Sequence, residues 1–480
     1  MRRTDSRAIF RWTTALFLSL ALRAAFPAAP ALASPLEGDF NDPRRCEGCH
    51  AAVFSQWEGS MHGLAVTDNV FRKFFGMVVE EAGPSAVTFC MKCHTPVGVA
   101  RGELPPATGE KLDNVALKGV FCDFCHTVTP TGIGNAAFDT THSTTKKGPF
   151  EDARSPVHET RTDNVLRSSE FCGMCHNVTH PVSGRPIERT YQEWKDSSYN
   201  TGDPATTTTC QDCHMRQTPD DPATGDAPRK DLPAKAASGG PDRPHVWTHY
   251  FVGGTTLYKD EPNAERRQAM ARARLRHAAK LEIDVEDTPT ARNRFGSFRV
   301  RVTNVGAGHK LPTGLSEVRE MWLDVTVTDA KGKELMRSGA IGENGGIDPT
   351  AAIFKTFLGI GRTNVKMSCC FFAIGERNKI LSAETMTRDR RILPKGYDEE
   401  KYAFVMPKGA AWPVKVEARL NYRSMSQDFA NIFYPDGSFK VPVIRMAEAA
   451  AQICPGGSCD DRSLKTVAPA ARKKGNAKRR

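Results

Sequence analysis

The sequence predicts an α+β chain made of two unlike halves. The first is mostly α-helical and irregular, and the second is β-sandwich-like. Three observations carry that reading. Ten of the fourteen cysteines fall in a five-fold Cys-x-x-Cys-His repeat confined to residues 46–214. A proline-rich stretch without an apolar period follows it, at 215–245. From Leu281 onward apolar residues alternate with polar ones, the period of a half-buried strand. At 480 residues the chain has room for two or three domains.

Charge and composition narrow the class. Charged residues make up 25% of the chain and mean hydropathy is −0.44, which excludes a polytopic membrane protein. The formal net charge is +11. Most of it sits at the ends: five arginines against Asp5 in 1–33, and eight basic residues with no acid in 462–480. The stretch between is nearly neutral, so the basic balance does not argue for a nucleic-acid-binding body.

The expected organisation runs in order. Residues 1–33 read as a secretory signal peptide. Arg2 to Arg11 form the basic region, and Trp12 to Leu22 an apolar run well short of the roughly 20 residues that span a bilayer. Ala31-Leu32-Ala33 then offers small residues for cleavage before Ser34. Arg2-Arg3 resembles a twin-arginine signal only weakly, and the alternative is an uncleaved anchor. Residues 34–260 form the cysteine-rich domain, with short helices around each motif and long irregular connections. Residues 261–280 form a connecting helix, 281–445 the β-sandwich-like domain, and 446–480 a tail with a disordered basic end. Leu281-x-Ile283-x-Val285, Phe298-x-Val300-x-Val302, Leu323-x-Val325-x-Val327 and Val414-x-Val416-x-Ala418-x-Leu420-x-Tyr422 are the strands. Asp329-Ala-Lys-Gly332 reads as a turn.

The motif dictates its chemistry. Cys46-Cys49-His50, Cys90-Cys93-His94, Cys122-Cys125-His126, Cys172-Cys175-His176 and Cys210-Cys213-His214 share one spacing. Residues at i, i+3 and i+4 lie on one face of a short helix. Two thiols can therefore join the two vinyl groups of one haem while the histidine reaches its iron from beneath. The pattern reads as c-type haem attachment, hence five c-type haems. A zinc ribbon would use paired Cys-x-x-Cys units but gives no reason for a histidine after every second cysteine. Five short-loop disulfides give none either. The motifs start 44, 32, 50 and 38 residues apart, so they form no strict repeat. So little chain per haem requires the rings to pack on one another.

Eight histidines remain beyond the five in the motifs: His62, His142, His158, His180, His245, His249, His277 and His309. Five irons need five distal ligands if all are six-coordinate. Two imidazoles give a lower potential than a His/Met pair. Met61, Met91, Met174 and Met215 lie near motifs and read as packing residues. His142 and His245 are reserve candidates, and His277 lies on a charged helix and reads as a surface residue.

Several local runs resemble a known group. They are Trp57-x-x-Ser60-x-His62, Gly148-Pro149-Phe150 leading to His158, and Cys172–His176 followed by His180-Pro181. They continue with Glu188-Arg189-Thr190-Tyr191 to Glu193-Trp194, Cys210–Met215, His249 to Gly254, and Asn304 to Gly314. Together, over residues 46–445, they resemble multihaem cytochromes c related to nitrifier tetrahaem electron carriers and to hydroxylamine-oxidoreductase-like cytochromes. The resemblance implies bis-histidine haems, close haem stacking and electron transfer. It suggests His62, His158, His180, His249 and His309 as the distal ligands. The chain departs from the enzymes of that group: it has five motifs rather than eight, and none ends in Lys.

The expected function is electron transfer by an exported, periplasmic multihaem c-type cytochrome, or one associated with the outer membrane or beyond it. Its partners would be other redox proteins or cytochromes. The basic tail would touch an acidic partner or an anionic membrane surface. The alternatives are an oxidoreductase acting on a small nitrogen or sulfur compound at a five-coordinate haem, and a structural subunit of a cytochrome complex or filament. In the β-half, the loop Gly306–Gly314 is expected to bring His309 onto a haem. Cys454 and Cys459 are expected to form a local disulfide, while the pairing of Cys369 and Cys370 is not readable.

Overall fold

The computed structural model describes residues 39–181, 183–227, 229–257, 260–359, 385–455 and 457–459. The expected signal peptide, Cys369, Cys370 and the basic tail lie outside the described residues. No helix among those described is long and apolar enough to cross a membrane.

The motifs do nucleate short helices. Helix α1 (Arg44–Trp57) opens on the first motif and kinks at His50, whose φ of −111° and ψ of 35° leave the helical region. Helix α2 (Asn69–Ala82) starts at Asp68, whose carboxylate accepts from Phe71 N at 2.7 Å, satisfying one of the free amides of the first turn. Helix α3 (Ser85–His94) ends on the second motif. The third motif lies on α4 (Cys122–Cys125), the fourth only begins on α5 (Ser169–Gly173), and the fifth lies on α7 (Cys210–His214), all helices of one turn or little more. Thr209 and Asp212 form a capping box that starts α7 at Cys210. Helix α6 (Thr190–Lys195) lies between them and buries Tyr191, Glu193 and Trp194.

This half has no single large apolar core. One cluster gathers Phe40, Phe54, Trp57, Val97, Phe121, Phe124, Val128 and Met174. A second gathers Val66, Phe75, Val87, Met91, Leu104, Leu112 and Ala116. A third is the trio Tyr191, Trp194 and Tyr199.

The connecting helix α8 (Ala264–Arg276) is shorter than expected, and strand β1 begins at Ala279 rather than Leu281. His277 lies exposed at its end, with Nδ1 3.9 Å from Asp226. Beyond it the β-sandwich is present as read. Strands β1 (Ala279–Asp287), β2 (Phe295–Asn304) and β8 (Tyr397–Val405) make a three-stranded antiparallel sheet in the order β8-β2-β1. Facing it are β3 (Glu320–Thr328), β4 (Glu334–Ser338), β9 (Val414–Arg423), β10 (Ile444–Cys454) and β11 (Gly457–Ser458), in the order β4-β3-β9-β10-β11, with β5 (Ile353–Phe354) paired to β3, while β6 (Thr356–Gly359) and β7 (Thr385–Asp389) form a separate antiparallel pair. The alternation has its expected consequence: Leu281, Ile283, Phe298, Val300 and Val302 meet Leu323, Val325, Val327, Val414, Val416, Ala418 and Leu420 in one core. Asp329 accepts from Lys331 N and Lys333 N, both at 2.9 Å, and Gly332 takes φ +80°, which makes the expected turn. The last strand runs on past residue 445 to Cys454, and a Cys454–Cys459 disulfide closes its hairpin.

The two halves meet on buried charge. Glu193 of α6 pairs with Arg391, and their side chains are only 4% and 6% exposed. Arg391 and Lys310 both bind Asp389, at 2.8 Å and 2.7 Å. Burial would raise the Asp389 pKa, but Arg391 and Lys310 outweigh it and hold the group at about 2. Because the folded value lies below the ordinary aspartate value of 3.8, Asp389 stabilises the fold fully above about pH 4 and loses that contribution as pH falls toward 2. Asp389→Asn is expected to flatten the dependence of the urea midpoint on pH between about 4 and 2. Parallel curves for variant and parent would refute the assignment.

Candidate functional site

An imidazole that binds iron through Nε2 must carry its proton on Nδ1, so something must accept that proton. For the motif histidines the acceptors are in place. His50 Nδ1 donates to Ala236 O at 2.7 Å, His94 to Ala65 O at 2.6 Å and His126 to Lys147 O at 2.7 Å. His214 donates to the Val252 backbone. His176 differs, because its Nδ1 faces the Glu188 carboxylate at 3.1 Å, which raises its pKa to about 9.

Three of the five suggested distal histidines stand against motif histidines. His249 lies opposite His126, with ring centres 6.4 Å apart and planes 24° from parallel. His62 lies opposite His176, with ring centres 6.2 Å apart. His309 is close enough to His214 that a charge on one disfavours a charge on the other. A metal bonded to two imidazole nitrogens at about 2 Å each, in line, needs ring centres roughly 6 Å apart. The first two pairs meet that spacing, so the residues present fit a bis-histidine haem iron.

Local sequence explains how the partners get there. After α1, the turn carrying His62 is clamped to residues 119–121. Val120 N donates to His62 O at 2.9 Å, and Trp57 Nε1 donates to Val120 O at 2.9 Å. Gly119 has φ +65°, and a Cβ there would sit 2.7 Å from His62 O, so only glycine permits this approach. His249 N donates to Gln56 Oε1 at 2.8 Å, and its Nδ1 to Trp247 O at 3.0 Å. Phe251 stands between the two distal rings, 4.5 Å from His62 and 5.5 Å from His249. Burial, then neighbouring imidazoles, lowers the His62 and His249 pKa values to about 3, which keeps both rings neutral as ligands must be.

The His309 loop comes from the β-half, as expected. Asn304 Nδ2 donates to His309 O at 2.9 Å while Asn304 Oδ1 accepts from Ala307 N at 3.0 Å. His309 Nδ1 donates to Lys310 O at 2.9 Å. A Cβ on Gly306 would lie 2.0 Å from His277 O, so glycine lets the loop pass against the end of α8. The loop docks on the other half through Thr313 Oγ1 and Lys310 N, which donate to Glu193 Oε2 at 2.7 and 3.2 Å.

His158 makes no ring contact with a motif histidine among the described residues. His158 Nδ1 donates to Glu159 O at 2.9 Å, the arrangement a ligand needs. His180 Nδ1 instead accepts from Ser183 N at 3.1 Å, which places the neutral ring's proton on Nε2. The reserve His245 is oriented likewise, accepting from Leu232 N at 3.0 Å. The reserve His142 has Nε2 3.6 Å from Asp123. Residues that sequence reasoning missed are Glu188, Phe251 and Phe71, whose ring stacks on His94 at 3.7 Å. Glu188 lies in one of the runs quoted for the resemblance, but nothing in that run marks it as the partner of His176.

Thiols of different motifs meet. Cys46 reaches Cys122, Cys93 reaches Cys175, and Cys172 reaches Cys210, each within hydrogen-bonding range. Cys125 is near enough to both Cys172 and Cys175 for their charges to interact. Burial pushes the Cys90 thiol up to about 11 and Cys125 up to about 12. Among the described residues no three His, Cys, Asp or Glu side chains converge to hold a metal ion by themselves.

The family model described as "Cytochrome c554 and c-prime" matches residues 45–127, the stretch that holds the first three motifs. The fold is similar to the crystal structure of a penta-heme cytochrome c552 from Thermochromatium tepidum. That match has 20% identity and a TM-score of 0.59, and covers 86% of this chain and 99% of that one. A structural-genomics target, SoR45, aligns over 36% of this chain and 82% of its own at 7% identity, and its TM-score of 0.15 carries no weight. No curated protein matches the sequence. The five Cys-x-x-Cys-His motifs, the family match over the first three of them and the fold all resemble those of multihaem c-type cytochromes.

Proposed function

We propose that the chain carries five c-type haems and passes electrons among them, between redox partners outside the cytoplasm. Cys46, Cys49, Cys90, Cys93, Cys122, Cys125, Cys172, Cys175, Cys210 and Cys213 attach the rings. His50, His94, His126, His176 and His214 bind the irons from the motif side. His62, His249 and His309 are distal ligands of the fourth, third and fifth motifs. His158 and His180 complete the count; His180 can do so only by giving up its Ser183 bond. Haem iron supplies one-electron exchange, and two imidazoles per iron close it to substrate.

The observation that carries this reading is the pair of opposed imidazoles at 6.2 and 6.4 Å, each joining residues remote in sequence. The thiol contacts supply continuity. They link the first motif to the third, the third to the fourth, and the fourth to both the second and the fifth. The fourth motif is thus a branch point, and the order in space is not the order in sequence.

The leader and the cysteine chemistry place the protein in the periplasm or beyond the outer membrane. The basic tail is a docking segment for an acidic redox protein or an anionic membrane surface. The haem count is the test. Intact mass of the exported protein should exceed that of chain 34–480 by five haems, and a pyridine haemochrome assay should return five per chain. Two or three would reject the reading.

A further inference from the structure

Three motif histidines hand Nδ1–H to neutral backbone carbonyls, His214 bonds the backbone of Val252, and His176 hands its Nδ1–H to a carboxylate. Glu188 is held in that role. Its Oε1 also accepts from Thr190 Oγ1 at 3.0 Å, and Thr190 Oγ1 touches Thr313 Oγ1 at 2.8 Å. Thr313 belongs to the loop that carries His309 and donates to the buried Glu193. Glu188 is therefore held by Thr190 of α6, which is itself held by the β-half.

We propose that Glu188 sets the potential of the haem at the fourth motif and makes it the last of the five to be reduced. This rests on the five-haem reading. A full negative charge against the axial ring makes that ring a stronger donor and favours ferric over ferrous iron, because the ferric state carries the additional positive charge. The backbone groups behind the other four rings carry no net charge. The branch point of the array then holds electrons least readily, so they reside on the arms and cross the fourth position without accumulating there. Glu188 touches no substrate; it acts through His176 and is a positioning residue.

Potentiometric titration of the whole holoprotein tests this. Glu188→Gln keeps the length and an accepting oxygen but removes the charge. The lowest-potential component should become at least tenfold easier to reduce, about 59 mV for one electron. The other four should move less than twofold. Glu170→Gln removes a nearby carboxylate that bonds Tyr191 rather than a motif histidine, and should leave the lowest component within twofold. Thr190→Val frees Glu188 without altering charge, and should shift the same component in the same direction by less. A Glu188→Gln protein with five low-spin haems whose lowest component moves less than twofold, or in which a different component moves, overturns the proposal. A parent protein with fewer than five haems overturns the five-haem reading instead, and the haemochrome assay separates the two failures.

Discussion

Alanine at position 309 is expected to turn one haem of five high-spin and leave the other four low-spin. The expectation follows from how His309 is mounted. The ring is fixed by its Nδ1 bond to Lys310 O, and the loop beneath it by Asn304 and by Glu193. Removing the side chain takes away the proposed axial ligand without disturbing that frame, and the neighbouring His214 is the proposed motif-side ligand of the same iron. Electron paramagnetic resonance at neutral pH should then show a high-spin ferric signal of about one fifth of total haem. His309→Met should instead keep the haem low-spin and raise its potential, since methionine is the weaker donor. Spectra and potentials identical to the parent's would remove His309 from the ligand set and leave the β-half as a cap.

Glu193→Ala is expected to be the most destabilising single change at the junction of the two halves, by about 3–5 kcal/mol. The wild-type carboxylate is buried and takes Arg391, Thr313 Oγ1 and Lys310 N together. Truncation leaves Arg391 with Asp389 alone, Thr313 Oγ1 with Thr190 alone and Lys310 N without its acceptor. Breaking a buried pair costs far more than the intact pair contributes, because the surviving charge stays desolvated. Urea unfolding of the holoprotein measures the loss. A companion effect distinguishes the junction from generic damage: the His309 loop loses its anchor, so a partial high-spin signal should appear before global unfolding. A loss under about 1 kcal/mol, a surface-like value, would show that the pair does not hold the halves together.

What was legible in the sequence is what local pattern encodes. Cys-x-x-Cys-His fixes its own geometry within five residues, and alternation places a strand's buried face before its partner is known. The His309 loop was legible because its glycines permit a close backbone approach while its proline restricts the chain. The rest depends on contacts with no side-chain signature. The acceptor behind His50 is the carbonyl of Ala236, 186 positions away, and any residue type could supply it. Glu193 and Arg391 meet across 198 positions, and a single acid and a single base in a chain rich in both do not announce each other. The orientation of His180 turned on one amide, Ser183 N, which reverses the tautomer the resemblance would need. The start of β1 two residues early reflects the small side chain of Ala279, which fits the buried face without adding to the apolar signal.

The unequal cores of the two halves bear on how the molecule is made. The sandwich has a continuous apolar interior of its own, whereas the first half has only scattered clusters. During synthesis the cysteine-bearing segment emerges first, yet it has little with which to collapse. It therefore stays open while its thiols await their ring partners, and early burial does not compete with attachment. The later segment has the larger apolar interior with which to collapse. Maturation then ends with a latch: a finished β-body closes onto a scaffold whose rings are all in place, and a chain missing one ring offers that latch an imperfect seat, a state that quality-control proteases can recognise.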